Sequence, residues 1–269
     1  MTMAPQYDAI GSKYAVFKTL PTSIVERENV RAAVLPYLSR SSKPRVLDLA
    51  CGTGYYSKNS IDWGADYVLG VDISSGMVDV AKEIISQDTK YADKIKFKVG
   101  DALSLGKVDG EEPFDIVIGA WLLNYASSLE EMTKMFESIS ANLKKGGVYI
   151  GITTSPVEDV DMAVKRWMEI QAEFPEIFPI RKDYYERLPS GQGWASEISN
   201  NSGGEKVTFK SYRLKKSVYE EAARKGGLRG SLVWPEVSIP EEARGPLTEG
   251  VWEMYERGCG HMGMLIVEK

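Results

Sequence analysis

The chain has 269 residues, 43% of them apolar and 26% charged, which suits one large globular domain or one domain carrying a substantial insertion. A net charge of -5, with lysines and arginines scattered, gives no general attraction to nucleic acid or to an anionic membrane. The two cysteines, Cys51 and Cys259, have neither metal-ligand spacing nor a disulfide framework, so no metal is expected and a reducing cytoplasm is the natural compartment. The N-terminus lacks a signal-peptide pattern, and no apolar run approaches the roughly 18–20 residues that span a bilayer.

Residues 1–40 read as an N-terminal helical segment or lid. From residue 44, short β-rich runs alternate with helical patterns: the strands are expected at Arg45–Leu49, Tyr67–Val71, Ile95–Val99, Phe114–Ile118 and Val148–Thr153. Ser74 is placed to cap a helix through Met77, Val80, Ala81 and Ile84. Ser128 and Glu131 have capping-box spacing before Met132, Met135, Phe136 and Ile139, and Lys144–Gly147 reads as that helix's stop. Repeated βα units predict a doubly wound α/β fold with a mostly parallel sheet.

The alternation breaks at 155–204, where prolines, aromatics and a polar glycine loop predict a cap insertion: a helix over 157–173, then a hairpin or lid. The core then resumes over 205–269, completing a unit begun at 41–154. It is expected to hold a strand at Lys206–Leu214, a helix opened by a Ser217–Glu220 capping box and closed at Gly226–Gly227, a strand near Leu228–Trp234 and a final strand.

The stretch "RVLDLACGTGYYS" (45–57) ends a strand in a glycine turn that holds no dinucleotide fingerprint, because Ser57 stands at the third glycine position, and no Walker loop. It carries Asp48 instead, a poor neighbour for pyrophosphate and a good one for a cation. Asp72 ends the second strand, placed to accept hydrogen bonds from ribose hydroxyls. Asp101 ends the third, placed for an exocyclic amine or ring edge. Three acids around a turn without phosphate features suit S-adenosylmethionine, a nucleoside with a cationic tail and no phosphate. An NAD enzyme is disfavoured by Ser57.

"VLDLACGTGYYS", "GVDIS" with Met77, "GDAL" and "FDIVIGAWLLNYA" occur in the order of the motifs of class I S-adenosylmethionine-dependent methyltransferases, which residues 45–150 resemble. "YDAIGSKY", "AWLLNYA" and "WEMYERGCGHMG" further resemble toxoflavin-synthase-like enzymes and fungal O-methyltransferases of roquefortine-type alkaloids. The resemblance implies a Rossmann-like sheet of seven strands whose last strand is antiparallel. It implies that Asp48, Gly52 and Gly54 bind the methionine end, with Ala50 among the cofactor-binding positions of that turn. Asp72 would hold the ribose, Ile73 and Met77 would pack on adenine, and Asp101 with Ala102 would meet its edge. Ala120 and Trp121 would lie beneath the sulfur, and Tyr7 and Tyr14 would fold over the cofactor from the N-terminal segment.

The acceptor is expected to be a small aromatic or indole-alkaloid-like molecule, methylated on oxygen, with no nucleic acid or membrane partner. The fourth-strand segment lacks the D/N-P-P-Y run that places an amino group. Trp121, Tyr125, Tyr185, Trp194 and Trp234 are the candidate substrate-binding aromatics, although Tyr184, Tyr185 and Trp194 equally suit a core for the insertion. His261 is the single histidine, expected at the ligand edge where the last strand starts. Its ordinary pKa suits a base for a hydroxyl, the bland alternative being a rim residue that only packs. The competing functions are N-methylation of a heterocycle and non-catalytic binding of S-adenosylmethionine.

Overall fold

A computed structural model of the chain describes residues 7–8, 18, 21–173, 180–200, 207–245 and 262–269. After α1 (Pro21–Leu38), branched apolar runs form β1 (Arg45–Leu49), β2 (Tyr67–Asp72), β3 (Ile95–Val99), β4 (Phe114–Ala120) and β5 (Leu143–Thr153). These five pair in parallel, which requires crossovers. The crossovers contain α2 (Tyr55–Asp62), α3 (Ser75–Ser86), the short α4 (Thr89–Ala92) and α5 (Leu129–Asn142). With β9 (Leu232–Val233) and β10 (Gly263–Glu268), the sheet has seven strands in the order β3-β2-β1-β4-β5-β10-β9, and β10 runs antiparallel to both neighbours. The order reverses between β1 and β4, and ligands of such sheets bind beyond the strand carboxyl ends at that point.

Strand alternation builds a core on each face. Leu47, Leu49, Val117 and Tyr149 pack with Met132, Met135, Phe136 and Ile139 of α5. Val46, Ile116, Ile118, Val148, Ile150 and Ile152 pack with Val25, Val30 and Val34 of α1. The caps of α3 and α5 form as the spacing predicts, the Ser74 hydroxyl accepting from the Met77 N–H and the Ser128 hydroxyl from the Glu131 N–H. The Glu131 carboxylate, however, reaches past Ser128 to accept from the N–H and hydroxyl of Ser127, both at 2.7 Å.

Lys144–Gly147 is not a loop after α5 but part of β5, which begins at Leu143. The register shifts between Phe114 and Ile116, and a Cβ on Gly147 would stand 3.0 Å from the carbonyl oxygens of Asp115 and Lys144. Glycine permits a local bulge where the sequence suggests a stop.

The insertion holds α6 (Val160–Glu173) and a hairpin of β6 (Ile180–Arg187) and β7 (Gly193–Asn200). The expected core strand near 206–214 is β8 (Thr208–Leu214), and it pairs with β7 in a separate three-stranded antiparallel sheet, β6-β7-β8. That close pairing depends on Gly193, whose Cβ would lie 2.2 Å from the Arg213 carbonyl oxygen. The next helix, α7 (Lys216–Lys225), is not opened by a Ser217–Glu220 box. The Ser217 N–H and hydroxyl donate to Glu158 at 2.7 and 2.9 Å, and Glu220 accepts from the Trp234 indole at 3.0 Å. A carboxylate from another segment thus caps this helix. A four-residue α8 (Glu241–Arg244) follows β9.

Gly226 ends α7 against α5: an added Cβ would meet the Phe136 Cβ at 2.3 Å and the Glu137 nitrogen at 2.9 Å. Gly226→Ala is expected to destabilise the fold by about 1–3 kcal/mol, the usual cost of overpacking. Urea denaturation will show this as a lower midpoint at unchanged slope.

Candidate functional site

A cavity of about 300 Å³ opens at the carboxyl ends of β1 to β4, beside the reversal of strand order. Of the sequence-predicted residues, Tyr7, Ala50, Gly52, Asp72, Ile73, Met77, Asp101, Ala102, Ala120, Trp121 and Tyr125 line it. Two non-glycine residues here have left-handed backbone, Ala50 with φ 60° and Trp121 with φ 64°. They directly follow β1 and β4, so the turns at the cavity hold backbone strain, of order 1–2 kcal/mol at each.

Asp72 organises the floor. One carboxylate oxygen accepts from the Gly52 N–H at 2.8 Å and the other from the Ser74 N–H at 2.9 Å, which joins the glycine turn to the start of α3. A Cβ on Gly52 would meet no protein atom within 4 Å, so this position faces open space that a ligand can approach closely. Asp101 accepts from the Leu103 N–H through Oδ1 at 2.9 Å.

Asp48 does not line the cavity. It lies buried beneath the turn, accepting from the Ser57 hydroxyl at 2.7 Å. Burial raises its pKa to about 7, opposed by the Ser57 hydrogen bond and assisted by the negative charge of Asp72. Asp72 is likewise raised by burial, against the N–H groups of Ser74 and Gly52. Gly54 also stands away from the cavity: its Cβ would meet the Phe97 ring at 2.9 Å and Ala81 at 3.5 Å, so its place is helix-to-strand packing. Cys51 is buried, and its thiol pKa is pushed up by burial and by Asp48 and Asp72, which suits the reading of it as a small apolar group.

The N-terminal residues 7–8 dock over this site. Tyr7 shares a hydrogen bond with Tyr125 and packs against Phe209, with ring centroids 5.6 Å apart. Asp8 accepts from the Ser74 hydroxyl at 2.6 Å and stands at the N-terminus of α3, where the helix dipole favours a carboxylate. Tyr14 and His261 lie outside the described residues.

The remaining substrate candidates do not reach the cavity. Tyr185 is exposed, Trp194 donates to Asp161 at 2.7 Å, and Trp234 stands edge-on to Tyr219. Among the wall residues that sequence reading missed are Tyr212 of β8, and Ser127, Glu131 and Met135 around α5. Glu131 was legible as a capping residue, but its position on the cavity follows from its reaching back to Ser127. Tyr212 had no signal, because the pairing of β8 with the cap decides what it faces.

The methyltransferase-domain family matches residues 46–147. Over 118 residues the chain is 31% identical to an mRNA cap guanine-N(7) methyltransferase of Caenorhabditis elegans, covering 41% of this chain and 31% of that protein. It is 24% identical over 235 residues to a demethylmenaquinone methyltransferase of Lactiplantibacillus plantarum, covering 82% and 84%. The chain spans only about a third of the length of the cap methyltransferases it matches. In fold it resembles an S-adenosylmethionine-dependent methyltransferase from Clostridium acetobutylicum, with a TM-score of 0.57 and 14% identity over 95% and 97% of the two chains. The open face of Gly52, the acids Asp72 and Asp101 and the absence of a phosphate fingerprint fit S-adenosylmethionine.

The raised pKa of Asp48 has a defined consequence. The native state holds the Asp48 proton more tightly than the unfolded chain, so Asp48 lowers stability progressively as pH rises from about 4 to about 7. Asp48→Asn in the cofactor-free protein is expected to flatten that decline and to raise the melting temperature at pH 8, as measured by thermal melts across pH 4–8.

Proposed function

Residues 46–147 form a methyltransferase domain of the class I fold with S-adenosylmethionine as cofactor, and from that premise we propose that the chain methylates a small aromatic or indole-alkaloid-like acceptor on oxygen. The observation that carries this reading is one cavity with acid-bearing strand ends on one side and Tyr7, Trp121, Tyr125 and Tyr212 on the other. When bound, S-adenosylmethionine supplies a methyl group on a sulfonium, already activated for displacement. The protein then has to bind, align and exclude water, and alignment of this kind contributes about 7–11 kcal/mol.

Asp72 and Asp101 would hold the nucleoside, the carboxylate of Asp72 remaining fixed by the two N–H groups it accepts. Ile73, Met77 and Ala102 would flank the ring, and the backbone at Ala50, Gly52 and Ala120 would pass beside the methionine end. Asp48, buried below the turn, would act on a cationic ligand through its field rather than by contact. Tyr7, joined to Tyr125 and Phe209, would keep water from the reacting atoms. The four aromatic side chains suit a flat apolar acceptor.

His261 is the proposed base. It precedes β10, whose first residue, Gly263, pairs with Thr153 at the carboxyl end of β5. One observation favours the alternative of a heterocyclic nitrogen acceptor: the Glu131 carboxylate lines the cavity and can orient an N–H or cationic ring. The acidic balance of the chain supports a small acceptor over nucleic acid. The relative aligned over most of both chains is named for a small-molecule acceptor.

Calorimetric titration with S-adenosylmethionine, S-adenosylhomocysteine and NAD tests the cofactor reading. Saturable binding of the first two alone is expected, weakened about tenfold or more in Asp72→Asn, which loses charge-assisted hydrogen bonds. Binding of NAD alone overturns the reading. A labelled-methyl screen of phenols, N-hydroxyindoles and N–H heterocycles then identifies the acceptor. His261→Ala is expected to lower kcat at neutral pH with acceptor binding intact, and normal turnover would rule out His261 as the base.

A further inference from the structure

A second cavity, of about 140 Å³, shares no lining residue with the first among the described residues. Val157, Asp159, Met162, Ala163, Arg166, Trp167 and Arg213 line it, between α6 with its preceding loop and β8 of the cap sheet. Arg213 is only 5% exposed. One terminal nitrogen donates to the Ser155 carbonyl at 3.0 Å and the other to the Tyr184 hydroxyl at 3.4 Å. Its Nε is buried and has no hydrogen-bond partner. Among the described residues Arg213 forms no ion pair, and Arg166, exposed at the same cavity, forms none either.

The surroundings add further positive charge. The Lys182 amine stands 5.4 Å from the centroid of the Tyr184 ring and also forms no ion pair among the described residues. Burial, together with the Arg213 charge, lowers the Lys182 pKa, against the raising influence of Tyr184. The Tyr184 hydroxyl is lowered in turn, because the charges of Lys182 and Arg213 outweigh its burial. Asp161 is bound by Arg187 and Trp194, and Asp159, an acid lining the cavity, accepts from the Met162 N–H at 2.9 Å.

We propose that this cavity is a binding site for a small oxyanion, the phosphate, sulfate or carboxylate group of a ligand, held between the guanidiniums of Arg213 and Arg166 with Trp167 as a wall. A buried guanidinium without a counter-ion lacks charge compensation. Water in the cavity cannot supply it, whereas an oxyanion on the terminal nitrogens does. The planar fork of arginine matches oxyanion geometry, and the cavity exceeds the roughly 30 Å³ that one water occupies several times over. The site stands apart from the methyl-donor cavity and does not depend on the methyltransferase reading.

The test is calorimetric titration of the full chain with inorganic phosphate, sulfate and acetate, chloride balancing ionic strength. One saturable site is expected for at least one of them. Arg166→Ala should weaken it about tenfold, through loss of a charge-assisted contact. Asp159→Asn should tighten it several-fold, because asparagine keeps the helix cap while removing a lining negative charge. Arg213→Met should abolish it, and if that variant does not fold, the opposite shifts of the other two still decide. A phosphomonoester binding more tightly than phosphate would identify the oxyanion as part of a larger molecule, and equal affinity would identify the free ion. No saturable binding of any of the three ions, or binding unmoved in both Arg166→Ala and Asp159→Asn, overturns the proposal.

Discussion

The carboxylate of Asp72 joins the glycine turn after β1 to the first turn of α3 by accepting one N–H from each. β1 and β2 lie side by side in parallel, and the turns that follow them expose backbone donors on both sides of the gap beyond their ends. Satisfying those donors with a single buried acid fixes the gap's width and places the negative charge on its floor. The geometry of the cavity follows from that constraint. Gly52 faces open space because its N–H is held, and Ala50 accepts a left-handed backbone because Leu49 lies in β1 and Cys51 donates its N–H to the Val71 carbonyl.

Burying carboxylates is costly, and burial raises the pKa of both Asp48 and Asp72. Such a floor is stabilised by a cationic ligand and disfavoured without one. The N-terminal residues reinforce it from above. Asp8 joins the cap of α3, while Tyr7 spans to Tyr125 and to Phe209 of the cap sheet. The lid, core and cap therefore meet at the donor cavity, although they come from distant parts of the chain.

The cap is held by different physics. Its sheet is antiparallel and depends on the close approach allowed at Gly193, and it is linked to α6 by side-chain bonds. Gln171 grips both backbone groups of Lys182, and Asp161 binds Arg187 and Trp194. Aromatic residues that look like a substrate wall in the sequence are spent here on the cap's own structure. Tyr212, turned toward the cavity by the pairing of β8, joins Tyr7, Trp121 and Tyr125 in the wall.

The sequence by itself determined the parallel core. Branched apolar runs, two serine caps and acids at three strand ends are local signals, and each is read within one βα unit. The same signals located most of the donor cavity, since a strand-end residue's position follows from its own strand. Tertiary structure alone decided what depends on distant partners. It placed β8 in the cap rather than the core, gave α7 the Glu158 carboxylate in place of its own box, and drew Lys144–Gly147 into β5. It also set Asp48 and Gly54 beneath the cavity rather than at its surface, and left Arg213 buried without a counter-ion. A residue's type states what bonds it can make, but which partner comes within reach is set by how the elements pack.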